Sequence, residues 1–208
     1  PVIGCGGSVG ASTVAVAIAT AAEVPARVVE CCAPMDSGLA AASVAELGDH
    51  AGWRRGSRGQ VMLERRLTVD LRVRPSRASV SLTVLDAPAS VLLPDAVGWL
   101  ADAVRRHRPL VLVTRATIPA LRRLEACLSL RDDRSSCLAV VVGPELRRWP
   151  KVLGRSLGVR SAELVTAGRV VSFPQDRRLE VAGLTPDPLA GPLIRAGAAV
   201  LTLAKEPS

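Results

Sequence analysis

Tyrosine is absent from this 208-residue chain, and lysine occurs only as Lys151 and Lys205. The rest of its 27 basic residues are arginine, and Ala, Val and Leu abound, a profile that follows GC-rich coding. No apolar run reaches the roughly 18 residues that a membrane-spanning helix needs; the longest, from Val14 to Ala22, is short and Ala-rich. No charged-then-apolar leader precedes the first apolar residues, so no secretory signal is read. The five cysteines (Cys5, Cys31, Cys32, Cys127, Cys137) are odd in number and show no Cys-x-x-Cys spacing. That excludes a disulfide framework and a structural zinc site on pattern. Each lies in or beside an apolar run, where a free thiol packs as a small hydrophobe. Cys5, Cys31 and Cys32 are expected to meet at strand ends, with core packing as their role, and a reducing cytosol is the expected compartment. His50 has no His, Cys or acid at ligand spacing, so no metal is expected there.

A 49% hydrophobic composition and a mean hydropathy of +0.29 suit a well-buried single domain over residues 1–208. The net charge of +8 permits contact with DNA, RNA or anionic lipid. The arginine pairs at 54–55, 65–66, 122–123, 147–148 and 177–178 are scattered rather than blocked, which reads as solvated surface. Nonspecific DNA binding is the alternative that the charge leaves open. No helix-turn-helix pattern is present.

The chain is organised around Gly4-Cys5-Gly6-Gly7-Ser8-Val9-Gly10-Ala11-Ser12-Thr13. It follows the apolar Pro1-Val2-Ile3 and opens the Val14–Ala22 run, so it reads as strand, glycine loop, helix. Glycines let backbone N–H groups face one point, and a helix N-terminus adds partial positive charge there; phosphate suits such a loop. Beyond it, Ala26–Cys32 reads as a strand and Leu39–Leu47 as a helix, with Asp36 or Ser37 as its N-cap. Residues 48–59 form a polar Gly/Arg-rich loop in which Trp53, followed by two arginines, either stacks on a base or anchors the loop. Val61–Val73 alternates apolar and charged residues, as one or two half-exposed strands do. Ser81–Asp86 is a buried strand closed by an acid. Pro94–His107 reads as a helix, Leu110–Thr114 as a strand, Ile118–Leu130 as a helix and Cys137–Gly143 as a strand. Glu145–Leu157 is a basic helix broken at Pro150, Arg169–Pro174 a last strand, and Pro188–Leu203 a final helix. Alternating helices and near-continuous apolar strands imply an α/β fold, a mainly parallel sheet with helices on both faces. Ligands in such sheets sit at strand C-termini, where the glycine loop and Asp86 both lie.

The glycine loop resembles the phosphate loop of the ParA/MinD branch of P-loop ATPases, which runs Lys-Gly-Gly-x-Gly-Lys-Thr-Thr. Aligned on Gly10, Gly6 stands at the signature lysine and Ala11 at the Walker lysine. The Gly10-Ala11-Ser12-Thr13 ending is similar to that of CpaE/TadZ proteins, which serve pilus assembly and polar positioning. Leu85-Asp86-Ala87-Pro88 resembles the family's Asp-Thr-Pro motif, and Phe173-Pro174-Gln175-Asp176 its late loop around adenine. The family's two acids after the second strand fall at Cys31 and Ala33; Glu30, one place off, is expected to point to the other face.

The resemblance implies a nucleotide site built from Gly6, Gly7, Ser8, Val9, Gly10, Ala11, Ser12, Thr13, Asp86 and Pro174. Ser12 and Asp86 would hold Mg²⁺ if nucleotide binds. Without either lysine the transition-state charge is poorly met, so no catalytic residue is assigned. The expectation is a degenerate ParA/MinD-like, CpaE/TadZ-like scaffold or positioning subunit of a pilus, secretion, conjugation or division machine. It would be cytoplasmic, with protein partners, membrane association through them, and a homodimer as one form. The alternatives are an ATP/Mg-binding dimerisation switch with slow or no hydrolysis and a DNA-associated partition-type protein.

Overall fold

The computed structural model describes residues 1–70, 72–131 and 136–206. A nine-stranded sheet runs through the molecule in the order β3-β4-β5-β2-β6-β1-β7-β8-β9. Its strands are β1 (Val2–Gly4), β2 (Ala26–Glu30), β3 (Ala45–His50), β4 (Trp53–Arg58), β5 (Val61–Arg66), β6 (Leu82–Pro88), β7 (Leu110–Arg115), β8 (Cys137–Val142) and β9 (Val170–Phe173). From β5 to β9 every neighbouring pair is parallel; β3 and β4 add an antiparallel hairpin at one edge. The helices are α1 (Ala11–Ala21), α2 (Trp99–Arg106), α3 (Ile118–Ser129), α4 (Lys151–Arg155), α5 (Val159–Thr166), α6 (Arg177–Ala182) and α7 (Gly191–Lys205).

Alternation along the strands divides the core into two layers. Val2, Val28, Val84, Val111 and Val140 face α1 and α7. Ile3, Val29, Leu85, Leu112 and Ala139 face the opposite way, toward α2, α3 and α5. Helix α1 is buried without a break from Val14 to Ala19 because it lies between the sheet and α7. Gly197 makes that crossing close: a methyl group there would lie 2.5 Å from the Ala17 carbonyl oxygen. This close approach explains a glycine in the middle of α7, where it otherwise weakens a helix.

Strands β7, β8 and β9 and helices α3 and α7 fall close to where the sequence places them, Pro150 separates a 3₁₀ turn (Leu146–Arg148) from α4, and α5 (Val159–Thr166) is a helix that the sequence reading did not place. Four earlier expectations are corrected. The segment Leu39–Leu47 is not a helix. Its first residues are tied to Glu30, and from Val44 on the chain runs extended beside β4, with Val44 N–H donating to the Ser57 carbonyl at 2.8 Å. Residues 48–59 are mostly the two arms of the β3–β4 hairpin rather than a loop. Ala51 (φ 48°) and Gly52 (φ 83°) provide the two positive-φ positions that a tight two-residue hairpin turn requires, and Gly48 (φ 88°) sits at a bulge. Val61–Val73 contains one strand, β5, which ends at Arg66 and is mostly buried, because β2 and β4 cover both its edges; Leu71 lies outside the described residues. The helix expected over Pro94–His107 starts only at Trp99, after Gly98 at φ 97°.

Candidate functional site

The Gly4–Thr13 stretch links β1 to α1 as the sequence implies. Cys5 N–H donates to the Val113 carbonyl at 2.8 Å and holds the loop's start against β7. Ser8 (φ 53°) and Gly10 (φ 92°, the N-cap of α1) turn the chain back on itself. Gly10 is conformationally required there. Among the described residues no hydrogen bond engages the N–H groups of Gly6, Gly7, Ser8, Val9 or Gly10, so the loop presents donors at a helix N-terminus.

The loop forms one wall of a cavity of about 890 Å³. Gly6, Gly7, Ser8, Val9, Gly10, Ala11, Ser12, Thr13, Asp86 and Pro174 all line it, so residues distant in sequence meet at the C-terminal ends of β1, β6 and β9. Asp176, beyond Pro174, caps α6 by accepting from the N–H groups of Arg178 (2.9 Å) and Leu179 (3.3 Å). This cap holds α6 and the 174–176 turn over the cavity.

Glu30 reverses an expectation. In the β2–β6 register it lies beside Asp86, and parallel neighbours in register point to the same face. The Glu30 carboxylate accepts from the Ser37 hydroxyl (2.5 Å) and from the N–H groups of Gly38 (2.7 Å) and Leu39 (3.0 Å). It thereby draws residues 37–39 down onto the N-terminus of α1. A methyl group at Gly38 would lie 2.5 Å from Ser12 Oγ, so only glycine lets the segment come this close. Asp86 and Ser12 line the cavity together. The buried carboxyls of Glu30 and Asp86, the half-buried Ser12 and the exposed Gly38 therefore lie together at one polar corner. Burial, reinforced by the nearby Glu30 charge and opposed by the Ser12 hydroxyl, pushes the Asp86 carboxyl up to about 7. Burial likewise raises Glu30 above the usual carboxylate range, against the pull of its three hydrogen bonds and Arg65.

The cavity's charge is mainly acidic. Asp36, Asp86, Asp176 and Glu180 line it against one guanidinium among the described residues, Arg115. Arg115 is itself ion-paired with Glu180, which also accepts from Gln175 at 2.6 Å. A polyphosphate entering here would need a cation to offset these carboxylates. Ser12 and Asp86 supply the oxygen donors that a hard divalent ion takes.

Sequence reasoning missed Glu30, Arg115 and Glu180. Arg115 was open to discovery from its place one residue past an apolar Leu-Val-Leu-Val-Thr strand. Glu30 depended on strand register, which the sequence did not give. Of the two readings of Trp53, the structure fits the anchoring one. Trp53 is 1% exposed and lies under Arg66 (5.6 Å from guanidinium carbon to ring centre), so it offers no face to a base. Cys5 and Cys31 are buried with Cys127 and Cys137 in one apolar layer, and Cys32 lies on the cavity wall.

No family model and no curated protein matches this chain. Solved structures do. A protein assigned to plasmid partition in Borrelia burgdorferi, bound to AMPPNP, aligns at 13% identity over 98% of this chain and 97% of its own, with a TM-score of 0.59. MinD in the MinC:MinD cell division complex of Aquifex aeolicus aligns at 15% identity over 99% and 97%, TM-score 0.61. The chain has the MinD/ParA P-loop NTPase fold. McdA from Cyanthece, solved without ligand, aligns at 12% identity over 97% of both chains, TM-score 0.60. No helix among the described residues is long and apolar enough to cross a membrane.

Proposed function

We propose that this chain is a ParA/MinD-like positioning or scaffold subunit, of the CpaE/TadZ kind, that does not hydrolyse ATP. It would act through protein partners in a larger cytoplasmic or membrane-associated assembly such as a pilus, secretion, conjugation or division machine. One observation carries this reading: Ala11 stands at the loop position where the fold's ATPases use a lysine, and the one arginine that lines the cavity among the described residues, Arg115, is tied to Glu180. An uncompensated γ-phosphate charge in the transition state costs several kcal/mol. The test is phosphate release from ATP and Mg²⁺ by the purified chain, beside titration calorimetry with ATP and ADP. Release at the no-protein background supports the proposal; turnover above background, abolished by Asp86→Asn, overturns it.

A second reading, an ATP-binding switch for dimerisation, draws on the cavity's size and on the unengaged loop N–H groups beside Ser12 and Asp86. Here Mg²⁺ would have to offset the acidic wall. Calorimetric binding of ATP that requires Mg²⁺, with a concentration-dependent rise in mass, supports it; no heat at millimolar ATP removes it. A DNA-binding reading keeps only the net charge, because Trp53 is buried and Arg27, Arg54, Arg55 and Arg65 are all ion-paired.

A further inference from the structure

The basic stretch that runs from β8 into α5 contributes no residue to the cavity. Leu146 to Ala162 carries five cations and no acid, so these seventeen residues hold five of the chain's eight net positive charges. Its two ends are fixed. Trp149 donates its indole N–H to the Pro144 carbonyl at 3.0 Å. At the far end Glu125 of α3 accepts from the N–H groups of Arg160 (3.0 Å) and Ser161 (2.9 Å) and from the Ser161 hydroxyl (2.6 Å). A methyl group at Gly158 would lie 2.3 Å from Glu125 Cδ, so the chain is drawn tightly against α3 there. Between these ties Leu153 is the buried side chain of α4.

The outward side is basic and apolar together. Lys151 and Arg155 are four residues apart on α4 and share a side away from Leu153. Val152 between them is 58% exposed, and Val159 at the start of α5 is 72% exposed. A methyl group at Gly154 would meet nothing within 4 Å, so this side is uncovered. Arg147 is paired with Glu145, and Arg160 lies 3.8 Å from Glu125. The side chains of Arg148, Lys151 and Arg155 have no ion pair or hydrogen bond among the described residues.

We propose that this stretch is a docking surface for an anionic lipid bilayer, which the chain meets directly rather than through a partner. Three unpaired cations give up no protein contact when they meet lipid phosphates and carboxylates. Their attraction to an anionic leaflet adds up with each charge and fades with salt. Val152 and Val159 stand beside them and enter the headgroup boundary, where apolar groups leave water. A nucleic acid would meet the same cations and leave the valines in water; lipid uses both. The surface lies apart from the cavity, so docking is independent of nucleotide and of whether ATP is hydrolysed.

The test is co-sedimentation of the purified full chain with vesicles of phosphatidylcholine alone or mixed with phosphatidylserine, without nucleotide. The chain should sediment with the mixed vesicles at low salt, be released at high salt, and stay free of the neutral ones. Combining Arg148→Glu, Lys151→Glu and Arg155→Glu should lower the bound-to-free ratio by about a hundredfold or more. Arg106→Glu, Arg195→Glu and Lys205→Glu together change the net charge equally on exposed positions of α2 and α7, and should keep most of the binding. Val152→Ser with Val159→Ser should weaken it by roughly fivefold at constant charge. If the first triple variant does not fold, hydrogen exchange of the unsubstituted chain decides, with slowing on mixed vesicles confined to residues 147–159. No sedimentation with mixed vesicles, equal loss in both triple variants, full binding by the serine variant, or binding to duplex DNA without binding to vesicles would each overturn the proposal.

Discussion

Replacing Asp86 by Asn probes the buried corner directly. Asp86 registers with Val2 on one side and Glu30 on the other, is 6% exposed, and lines the cavity with Ser12. Its carboxyl stands at about 7 in the folded chain against 3.8 for a free aspartate side chain. The folded state therefore holds this proton more tightly than the unfolded state. Stability from this group is fully present below pH 3.8 and is lost as the pH rises through 7. Over that window the loss amounts to about 4 kcal/mol, of which about 3 kcal/mol falls between pH 5 and pH 8. Asparagine has nearly the same shape, keeps a side-chain oxygen and carries no charge at any pH in this range. The assay is urea unfolding of both proteins at pH 5 and pH 8. Groups that titrate alike in both proteins cancel in the difference between slopes. The unsubstituted chain should lose about 3 kcal/mol more than the Asn variant on going from pH 5 to pH 8, and the variant should be the more stable protein at pH 8. Equal losses in both proteins would refute the assignment of a raised acid at this corner.

Arg66 is 4% exposed, and none of its three guanidinium nitrogens finds a hydrogen-bond partner among the described residues; Arg66→Met should raise stability by about 1–3 kcal/mol in urea unfolding. Gly197→Ala drives a methyl group into the Ala17 backbone and should lower stability by about 1–3 kcal/mol, with a matching fall in melting temperature. Glu30→Ala removes the acceptor that holds segment 37–39. Hydrogen exchange at the Gly38 and Leu39 amides should then quicken by roughly tenfold or more, and unchanged protection would show that the segment is held by something else.

Much of the fold was legible in one dimension because its signals are local. Apolar runs of strand length alternating with helical periods imply a parallel sheet with two covered faces, and that is the sheet observed. A glycine loop between an apolar strand and an Ala-rich run marks its own place, since positive φ at Gly10 and the opening of α1 depend on adjacent residues. An acid closing a buried strand marks Asp86 in the same way. The ten residues read as a candidate site do line one cavity.

What the sequence could not determine depends on pairings between distant segments. Glu30 is one position away from the face that alignment assigned to the acids; only the β2–β6 register puts it beside Asp86 and lets it hold residues 37–39. A shift of one residue would send it to the other layer, so no local pattern decides it. Residues 48–59 are polar and glycine-rich and read as loop, yet β5 offers an open edge and most of them pair there as a hairpin. Its Trp53 looks like a surface aromatic until the hairpin folds it under Arg66. Gly6 and Arg123 lie more than a hundred residues apart in the chain, and only the packing of α3 against the loop brings them together. The chain order thus determined which elements form and where the glycine loop stands; the register of strands and the docking of helices decided which charges meet around it.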